Sequence, residues 1–215
     1  MEQTIPVDMI ILITKKSNKC TQTERLPDVL NDGLEKIDLK KFDYILRVDG
    51  HVVLPKDFLE KNLEGEPDTM YGAGFEIVKV APFIEIMGGR YHYLNDDSYL
   101  NAKFRQFGKK VGKQKIGLLH KEHPFSPKYY VERGRILYLL GWTPFHILGL
   151  MSTSRALRHK EETWYNIFVI GSYFLSFLVR PPKLDVANFV KDYQVASEVR
   201  HLTGLFKRFS RVRFW

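Results

Sequence analysis

The stretch that most constrains this chain is an apolar strand that ends in two potential metal ligands. Residues 43–55 read Asp-Tyr-Ile-Leu-Arg-Val-Asp-Gly-His-Val-Val-Leu-Pro. Side chains at positions i and i+2 of a strand end point the same way, so Asp49 and His51 could reach one divalent ion. Gly50 leaves room for a ligand, and Pro55 prevents the strand from continuing. A polar strand exit without any chemistry has the same pattern, so this motif alone is ambiguous.

The segments around this strand predict a βαβ unit. Residues 9–14 form a short continuous apolar run, which is typical of a buried parallel strand. Residues 25–37 have apolar side chains at helical spacing and lead into the strand at Tyr44. Residues 57–62 have the spacing of a short helix after it. An alternation of strand and helix favours an α/β fold.

A second acidic motif lies further along the chain. Asn95-Asp96-Asp97-Ser98-Tyr99-Leu100 runs into apolar residues at helical spacing, and Gly108 is a suitable stop. Asp and Asn are preferred helix caps, so capping alone explains one carboxylate. Capping explains two adjacent carboxylates less well, which leaves a chemical role open for this pair.

Together the two motifs resemble those of family-two glycosyltransferases, which have the GT-A fold. The resemblance covers about residues 9–141 and implies a mixed, mostly parallel central sheet flanked by helices. In that family an Asp-x-Asp motif holds the donor diphosphate through a divalent metal. Here His51 replaces the second Asp, as in the polypeptide N-acetylgalactosaminyltransferases. The resemblance assigns the general base to Asp97, and it places Asp96 and Asn31 among the residues that bind the donor or substrate together with Asp49.

The same resemblance implies a fuller ligand set. A histidine downstream of the base supplies the third metal ligand in the Asp-x-His relatives, and either His120 or His123 could do so here. Arg133 matches the arginine that contacts the donor diphosphate, although a strict Gln-x-x-Arg-Trp motif is absent. Imidazole is a good ligand for Mn²⁺ and a poor one for Mg²⁺, so Mn²⁺ is the expected cofactor. The first strand of the family fold should precede Met9, where only a few polar residues stand.

The last third of the chain differs in composition from the rest, and its pattern favours association with a membrane surface. We expect a GT-A-like domain over residues 1–135 and a helical, amphipathic membrane-associating region over residues 136–215. Apolar runs at 136–151 and 164–179 each fall short of the ~20 uninterrupted residues that a spanning helix needs. The net charge is +8, and Lys and Arg crowd residues 200–213. No nucleic-acid module is recognisable, so anionic lipid is the expected partner rather than nucleic acid. A helical hairpin that packs on the catalytic core is the alternative.

These observations predict an inverting glycosyltransferase. Its donor would be a nucleotide-diphosphate sugar, and its acceptor a hydroxyl or phosphate of a lipid-linked molecule or glycan. The single cysteine and the polar, acidic start of the chain suit the cytoplasmic side of a membrane. Two alternatives stay open: a degenerate, non-catalytic relative that binds sugar or lipid, and a basic membrane-surface adaptor without sugar chemistry.

Overall fold

The computed structural model describes residues 3–13, 17, 22–72, 74–94, 97–114, 119–120, 127–152 and 160–197. The chain divides into two compact units, residues 1–125 and 126–215. This division lies N-terminal to the boundary expected after residue 135. Each unit is described by itself.

The first unit is a mixed α/β structure. Its helices and strands follow the order α1 (Gln22–Leu34), a 3-10 turn (Leu39–Lys41), β1 (Tyr44–Val48), β2 (Val52–Val53), α2 (Phe58–Leu63), β3 (Thr69–Gly72), β4 (Phe75–Lys79), α3 (Val80–Met87), α4 (Asp97–Gln106), β5 (Val111–Lys113) and β6 (Leu119–His120). The strand expected at Tyr44 and the helices expected after residues 25, 57 and 97 are confirmed. Gly88 and Gly108 adopt left-handed backbone conformations just after α3 and α4, where glycine ends a helix at least cost.

The central sheet has the order β1-β4-β3-β5. Strand β4 is antiparallel to both β1 and β3, whereas β3 and β5 are parallel. Only residues 73 and 74 separate β3 from β4, and so short a connection joins antiparallel strands only. Helices α3 and α4 supply the longer crossover that a parallel β3–β5 pair requires. The expected mixed sheet is therefore confirmed, but mostly parallel pairing is wrong for the described strands.

The strand expected over residues 9–14 is also wrong for the part that the structure describes. Residues 9–13 carry no strand, and the side chains of Ile10 and Leu12 are both 85% exposed. Residue 14 lies outside the described residues. A βαβ unit that begins at Met9 is therefore absent from the described residues. An apolar run indicates burial only if the fold supplies a surface to cover it, and the run itself does not encode that surface.

Each face of the central sheet carries its own core. Alternate side chains of a strand point to opposite faces, so Phe75 and Ile77 pack with Phe58 of α2 on one face. Val78 packs with Leu100 of α4 on the other face. Glu76, which lies between Phe75 and Ile77, therefore points to the α4 face. It is fully buried there.

The described part of the second unit is helical. It contains α5 (Pro127–Leu139), α6 (Pro144–Ser152), α7 (Lys160–Val179) and a helical segment at 187–197. Helices α5 and α7 approach so closely at Gly134 that a Cβ there would collide with the backbone carbonyl of Val169. The Ser172 hydroxyl donates to the Val131 carbonyl at 2.5 Å and reinforces the same contact. Among the described residues, none of the helices is both long enough and apolar enough to cross a bilayer.

Candidate functional site

The Asp49–His51 motif forms a turn at the end of β1. The Asp49 N–H donates to the Gly74 carbonyl at 2.8 Å, and the Val52 N–H donates to the Asp49 carbonyl at 3.0 Å. The second bond closes a four-residue β-turn, with Gly50 and His51 at its centre. Asp49 and His51 are both half-buried. They therefore share a tight turn rather than alternating along an extended strand, and this turn brings their backbones close together.

Strand β2 continues directly from the Asp49–His51 turn and pairs antiparallel with β6, which contains residue 120. In the β2–β6 pair, residue 120 lies opposite Val52, the residue that follows His51. This pairing brings the backbone of residue 120 beside the Asp49–His51 turn. His123 lies outside the described residues, as does Asp96. Within the described part of the chain, no group of three or more His, Cys, Asp and Glu residues is arranged to hold a metal.

A buried pair of ionisable residues lies directly behind this turn. Arg47 of β1 and Glu76 of β4 are cross-strand partners in the antiparallel register. The Arg47 Nε lies 3.9 Å from the Asp49 Oδ1, and the Arg47 side chain is almost fully buried. Ionised side chains are rarely buried unless they have partners. The base of the Asp49 turn is therefore built on a polar cluster rather than on apolar packing.

Helix α4 covers the face of the sheet to which Glu76 points, and it contacts the same cluster. The buried Asn101 amide nitrogen lies 2.7 Å from the Asp97 backbone carbonyl and 3.3 Å from the Glu76 Oε1, and it donates to both. The Asn101 Oδ1 accepts from the Thr69 hydroxyl at 3.2 Å. The Asp97 carboxylate accepts from the Ser98 N–H at 2.6 Å. Asp97 thus lies at the start of α4 and is joined to Glu76 through one side chain.

Burial and neighbouring charges shift the pKa values of groups in this cluster. Burial raises the pKa of Glu76 to about 8; the charge of Arg47 opposes this rise and that of Asp97 adds to it. Burial also raises the pKa of Tyr91 far above its ordinary range, and the neighbouring Glu76 contributes to this. The carboxyl group of Glu76 therefore interacts both with the arginine behind Asp49 and with Asp97. Two motifs that are far apart in the sequence converge on one buried carboxyl group.

Asn31 lies on α1 and contacts the backbone of Tyr91, whose buried side chain is a neighbour of Glu76. The Asn31 amide donates to the Tyr91 carbonyl at 2.9 Å and accepts from the Tyr91 N–H at 2.7 Å. These two hydrogen bonds fix the backbone of the loop that contains Tyr91. Asn31 also lines a cavity of about 310 Å³. The remaining lining residues are four carboxylates, one arginine and one tyrosine: Glu24, Asp28, Asp32, Glu35, Arg90 and Tyr93. The net negative charge of this cavity repels a diphosphate and suits a cation or a neutral, hydroxyl-rich group.

Arg133 lies in the second unit. It is exposed on α5, between the half-buried Glu132 and the buried Gly134. The guanidinium can therefore be approached from solvent.

Sequence reasoning missed the residues that connect the two motifs. Arg47 is the one charged residue of β1, Glu76 lies among the apolar residues of β4 before the terminal Lys79, and Asn101 is an amide among the buried positions of α4. A polar residue at a core-facing position needs a buried partner, so the strand pattern carried a signal for Arg47 and Glu76. The partners themselves could not be read, because cross-strand register is a tertiary property.

Comparison of the chain with protein-family models, with curated proteins and with solved structures found no match.

Proposed function

We propose that the chain carries the catalytic part of an inverting glycosyltransferase with a GT-A-like fold. It would transfer a sugar from a nucleotide-diphosphate donor to a hydroxyl or phosphate of a lipid-linked acceptor or glycan at the cytoplasmic face of a membrane. The resemblance of the Asp49–His51 and Asp97 motifs to family-two enzymes supplies this activity. No other protein or structure that was compared argues for it or against it.

One observation carries the proposal: both motifs meet at the cluster around Glu76. Arg47 links Glu76 to Asp49, and Asn101 links Glu76 to Asp97. A transferase of this kind needs its donor-binding ligand and its acceptor-side base within reach of one sugar carbon. A helix cap and a strand exit without a common function have no need of a shared buried carboxyl group.

In the proposed reaction, Asp97 takes the proton of the acceptor hydroxyl as the oxygen attacks the anomeric carbon. The bond from that carbon to the donor phosphate oxygen breaks, and its electron pair leaves with the nucleoside diphosphate. A single carboxylate base on the acceptor side gives inversion at the anomeric carbon.

The residues of the Asp49–His51 turn fit a divalent metal by their chemistry. A carboxylate and an imidazole in one turn make a mixed oxygen and nitrogen donor set, which suits Mn²⁺ better than Mg²⁺. Asp49, His51 and either His120 or His123 would hold the ion. When bound, such an ion neutralises the charge of the departing diphosphate.

The surface of α7 supports association with a membrane. Residues 163–179 contain no charged side chain; Lys160, Glu161 and Glu162 precede this stretch, and Arg180 follows it. Over residues 166–179, apart from the side that packs on α5 and α6, the helix exposes mainly apolar side chains, and Leu175 and Leu178 are 62% and 77% exposed. A helix that is apolar on most sides must be covered by another apolar surface. With a net charge of +8, anionic lipid is the partner that satisfies both features.

The decisive experiment compares Asp97→Asn with Asp57→Asn. Asp57 also stands at the start of a helix, so it serves as a matched control. Release of nucleoside diphosphate is measured for a panel of nucleotide sugars with Mn²⁺ and vesicles that contain polyprenyl phosphate. Asn keeps the shape and the capping ability of Asp but accepts no proton. Asp97→Asn should therefore abolish turnover while leaving Mn²⁺ and donor binding nearly intact, and Asp57→Asn should leave turnover unchanged.

An unchanged rate in Asp97→Asn would contradict the assignment of the base. Donor binding without turnover in the unmodified chain would favour the second candidate function, a non-catalytic relative that binds sugar or lipid. The exposed apolar segment at residues 9–12 favours that candidate, since the described residues provide no strand in the position expected next to the donor. Vesicle binding without any donor binding would leave only the remaining alternative, a basic membrane-surface adaptor without sugar chemistry.

A further inference from the structure

Asn101 occupies an unusual position on α4. Asn has a weak helix propensity, because its amide competes with the backbone for hydrogen bonds. Asn101 is nevertheless in the interior of the helix, only 3% exposed, among Leu100, Ala102 and Phe104 on the packed side. An apolar residue of similar volume would fill this place without needing hydrogen bonds. An amide at this position therefore calls for a reason beyond packing.

The contacts of the amide give that reason. Its nitrogen donates both to the Asp97 carbonyl one turn earlier and to the Glu76 carboxyl across the interface with the sheet. Its oxygen accepts from the Thr69 hydroxyl, which fixes the orientation of the amide. One side chain thus fastens the first turn of α4 to strands β3 and β4. Glu76 is in turn the cross-strand partner of Arg47, behind the Asp49 turn.

We propose that Asn101 is a positioning residue, which sets the place of Asp97 relative to the Asp49–His51 turn by fastening the first turn of α4 to Thr69 and Glu76. The proposal rests on the proposed function, because it is through Asp97 that the position matters for catalysis. Asn101 itself contacts no substrate in this scheme.

The first test compares the kinetics of Asn101→Ala and Phe104→Leu, using the nucleotide sugars and vesicles described above. Phe104 is fully buried on the same helix and has no hydrogen bond to Asp97, so Phe104→Leu controls for lost packing. A displacement of a catalytic group by about 1 Å costs on the order of 100-fold in rate. Asn101→Ala should therefore lower kcat by about that factor with little change in the KM for the donor. Phe104→Leu should keep its kcat in the folded fraction.

A second pair of variants tests the orientation of the amide. Thr69→Val removes the hydroxyl that donates to Asn101 and keeps the shape of the side chain, whereas Thr69→Ser keeps the hydroxyl. Thr69→Val should lower kcat in the same way as Asn101→Ala, though to a smaller extent. Thr69→Ser should restore most of it. Equal losses in both Thr69 variants would point to packing and would overturn the proposal.

Hydrogen exchange gives a readout that does not depend on activity. The amides of residues 101–104 bond to the carbonyls of the first turn of α4, so their exchange reports whether that turn is held. Ala is a better helix former than Asn, so without a positioning role Asn101→Ala would slow this exchange or leave it unchanged. We expect faster exchange in Asn101→Ala than in the unmodified chain. Exchange that is slower or unchanged would overturn the proposal.

The outcomes separate the two levels of inference. If Asp97→Asn lacks turnover while Asn101→Ala keeps a normal kcat, the proposed function stands and the positioning role fails. If the unmodified chain transfers no sugar, the proposed function fails, and the positioning of a catalytic base fails with it. The exchange measurement then shows separately whether Asn101 holds the first turn of α4.

Discussion

Replacing Glu76 by Gln should remove most of the pH dependence of the stability of the central sheet. Glu76 is fully buried on β4, with Asn101 as a hydrogen-bond donor and Arg47 as its cross-strand partner. Gln has nearly the same size and keeps an oxygen acceptor for Asn101, but it cannot ionise. The substitution therefore removes the titration and preserves most of the packing.

The magnitude follows from the pKa of this carboxyl group. Burial raises the pKa of Glu76 from 4.5 to about 8. Between these two pH values the folded chain holds a proton that the unfolded chain has lost, so the free energy of unfolding falls as the pH rises. At about 1.4 kcal/mol per pH unit, the total loss is about 5 kcal/mol between pH 4.5 and pH 8. Stability at this site is greatest below pH 4.5, and the loss is complete above pH 8.

Hydrogen exchange of the β4 amides measures this effect in the unit to which Glu76 belongs. The protection factors of the unmodified chain and of Glu76→Gln are compared at each pH from 5 to 9, so the intrinsic pH dependence of exchange cancels. The protection factor of Glu76→Gln divided by that of the unmodified chain should rise by up to about tenfold per pH unit and level off near pH 8. Asp57→Asn, a change at the half-buried N-cap residue that precedes α2, should give a nearly flat ratio.

The opposite result would refute this reasoning. If Glu76 were ionised at neutral pH as an ion-pair partner of Arg47, its removal would leave a buried charge without its counter-ion. Glu76→Gln would then be less stable than the unmodified chain at pH 7, and the difference would shrink as the pH falls. A ratio of protection factors that stays constant with pH would equally exclude a carboxyl group with a raised pKa.

Three further predictions concern the metal turn, the second unit and the lipid surface. His51→Asp should shift the metal preference of donor binding from Mn²⁺ toward Mg²⁺, because a carboxylate suits the harder ion. Calorimetric titration of donor binding with each ion measures this shift. Gly134→Ala should lower the free energy of unfolding of the second unit by about 1–3 kcal/mol, because the added methyl group overpacks against Val169. Urea unfolding monitored by tryptophan fluorescence measures this loss. The control, Gly171→Ala, has free space around the added methyl group and should stabilise α7 by up to about 1 kcal/mol. Leu178→Asn should weaken sedimentation with phosphatidylserine vesicles by about tenfold or more, since burial of one leucine contributes about 1.5–3 kcal/mol.

Each of these predictions has a contrary outcome. An unchanged ratio of Mn²⁺ to Mg²⁺ affinity in His51→Asp would remove His51 from the ligand set. Equal effects of the Gly134 and Gly171 substitutions would mean that α5 and α7 do not meet at Gly134. Unchanged vesicle binding in Leu178→Asn would mean that the exposed face of α7 does not contact lipid.

Local sequence signals predicted most of the first unit's helices and one of its key strands. The helical spacing after residue 25, the acidic cap at Asp97 and the stop at Gly108 act within one or two turns of chain. The structure has α1 and α4 there, and Gly108 has a positive φ. The strand at Tyr44 was likewise marked by its apolar run and by the polar turn that follows it. These features depend on neighbours in the sequence, which is why they could be predicted without a fold.

The pairing of strands and the partners of buried groups could not be predicted in this way. The apolar run at residues 9–14 has the pattern of a buried strand, yet its residues 9–12 are exposed, because burial depends on a surface that other segments provide. Strand β4 lies between β1 and β3 and makes both pairs antiparallel, although the pattern of each strand is compatible with either direction.

The sequence by itself determined where the polar motifs lie and which chemistry their side chains offer, since a carboxylate, an imidazole and a helix cap are properties of local chain. Only the tertiary structure decided that Asp49, through Arg47, and Asp97, through Asn101, are both connected to the buried carboxyl group of Glu76. That relation arises because antiparallel register sets Arg47 opposite Glu76, and because α4 packs so that Asn101 reaches Glu76 and Thr69. Register and helix docking are set by the packing of the whole sheet and its core, so no single segment of the sequence carries them.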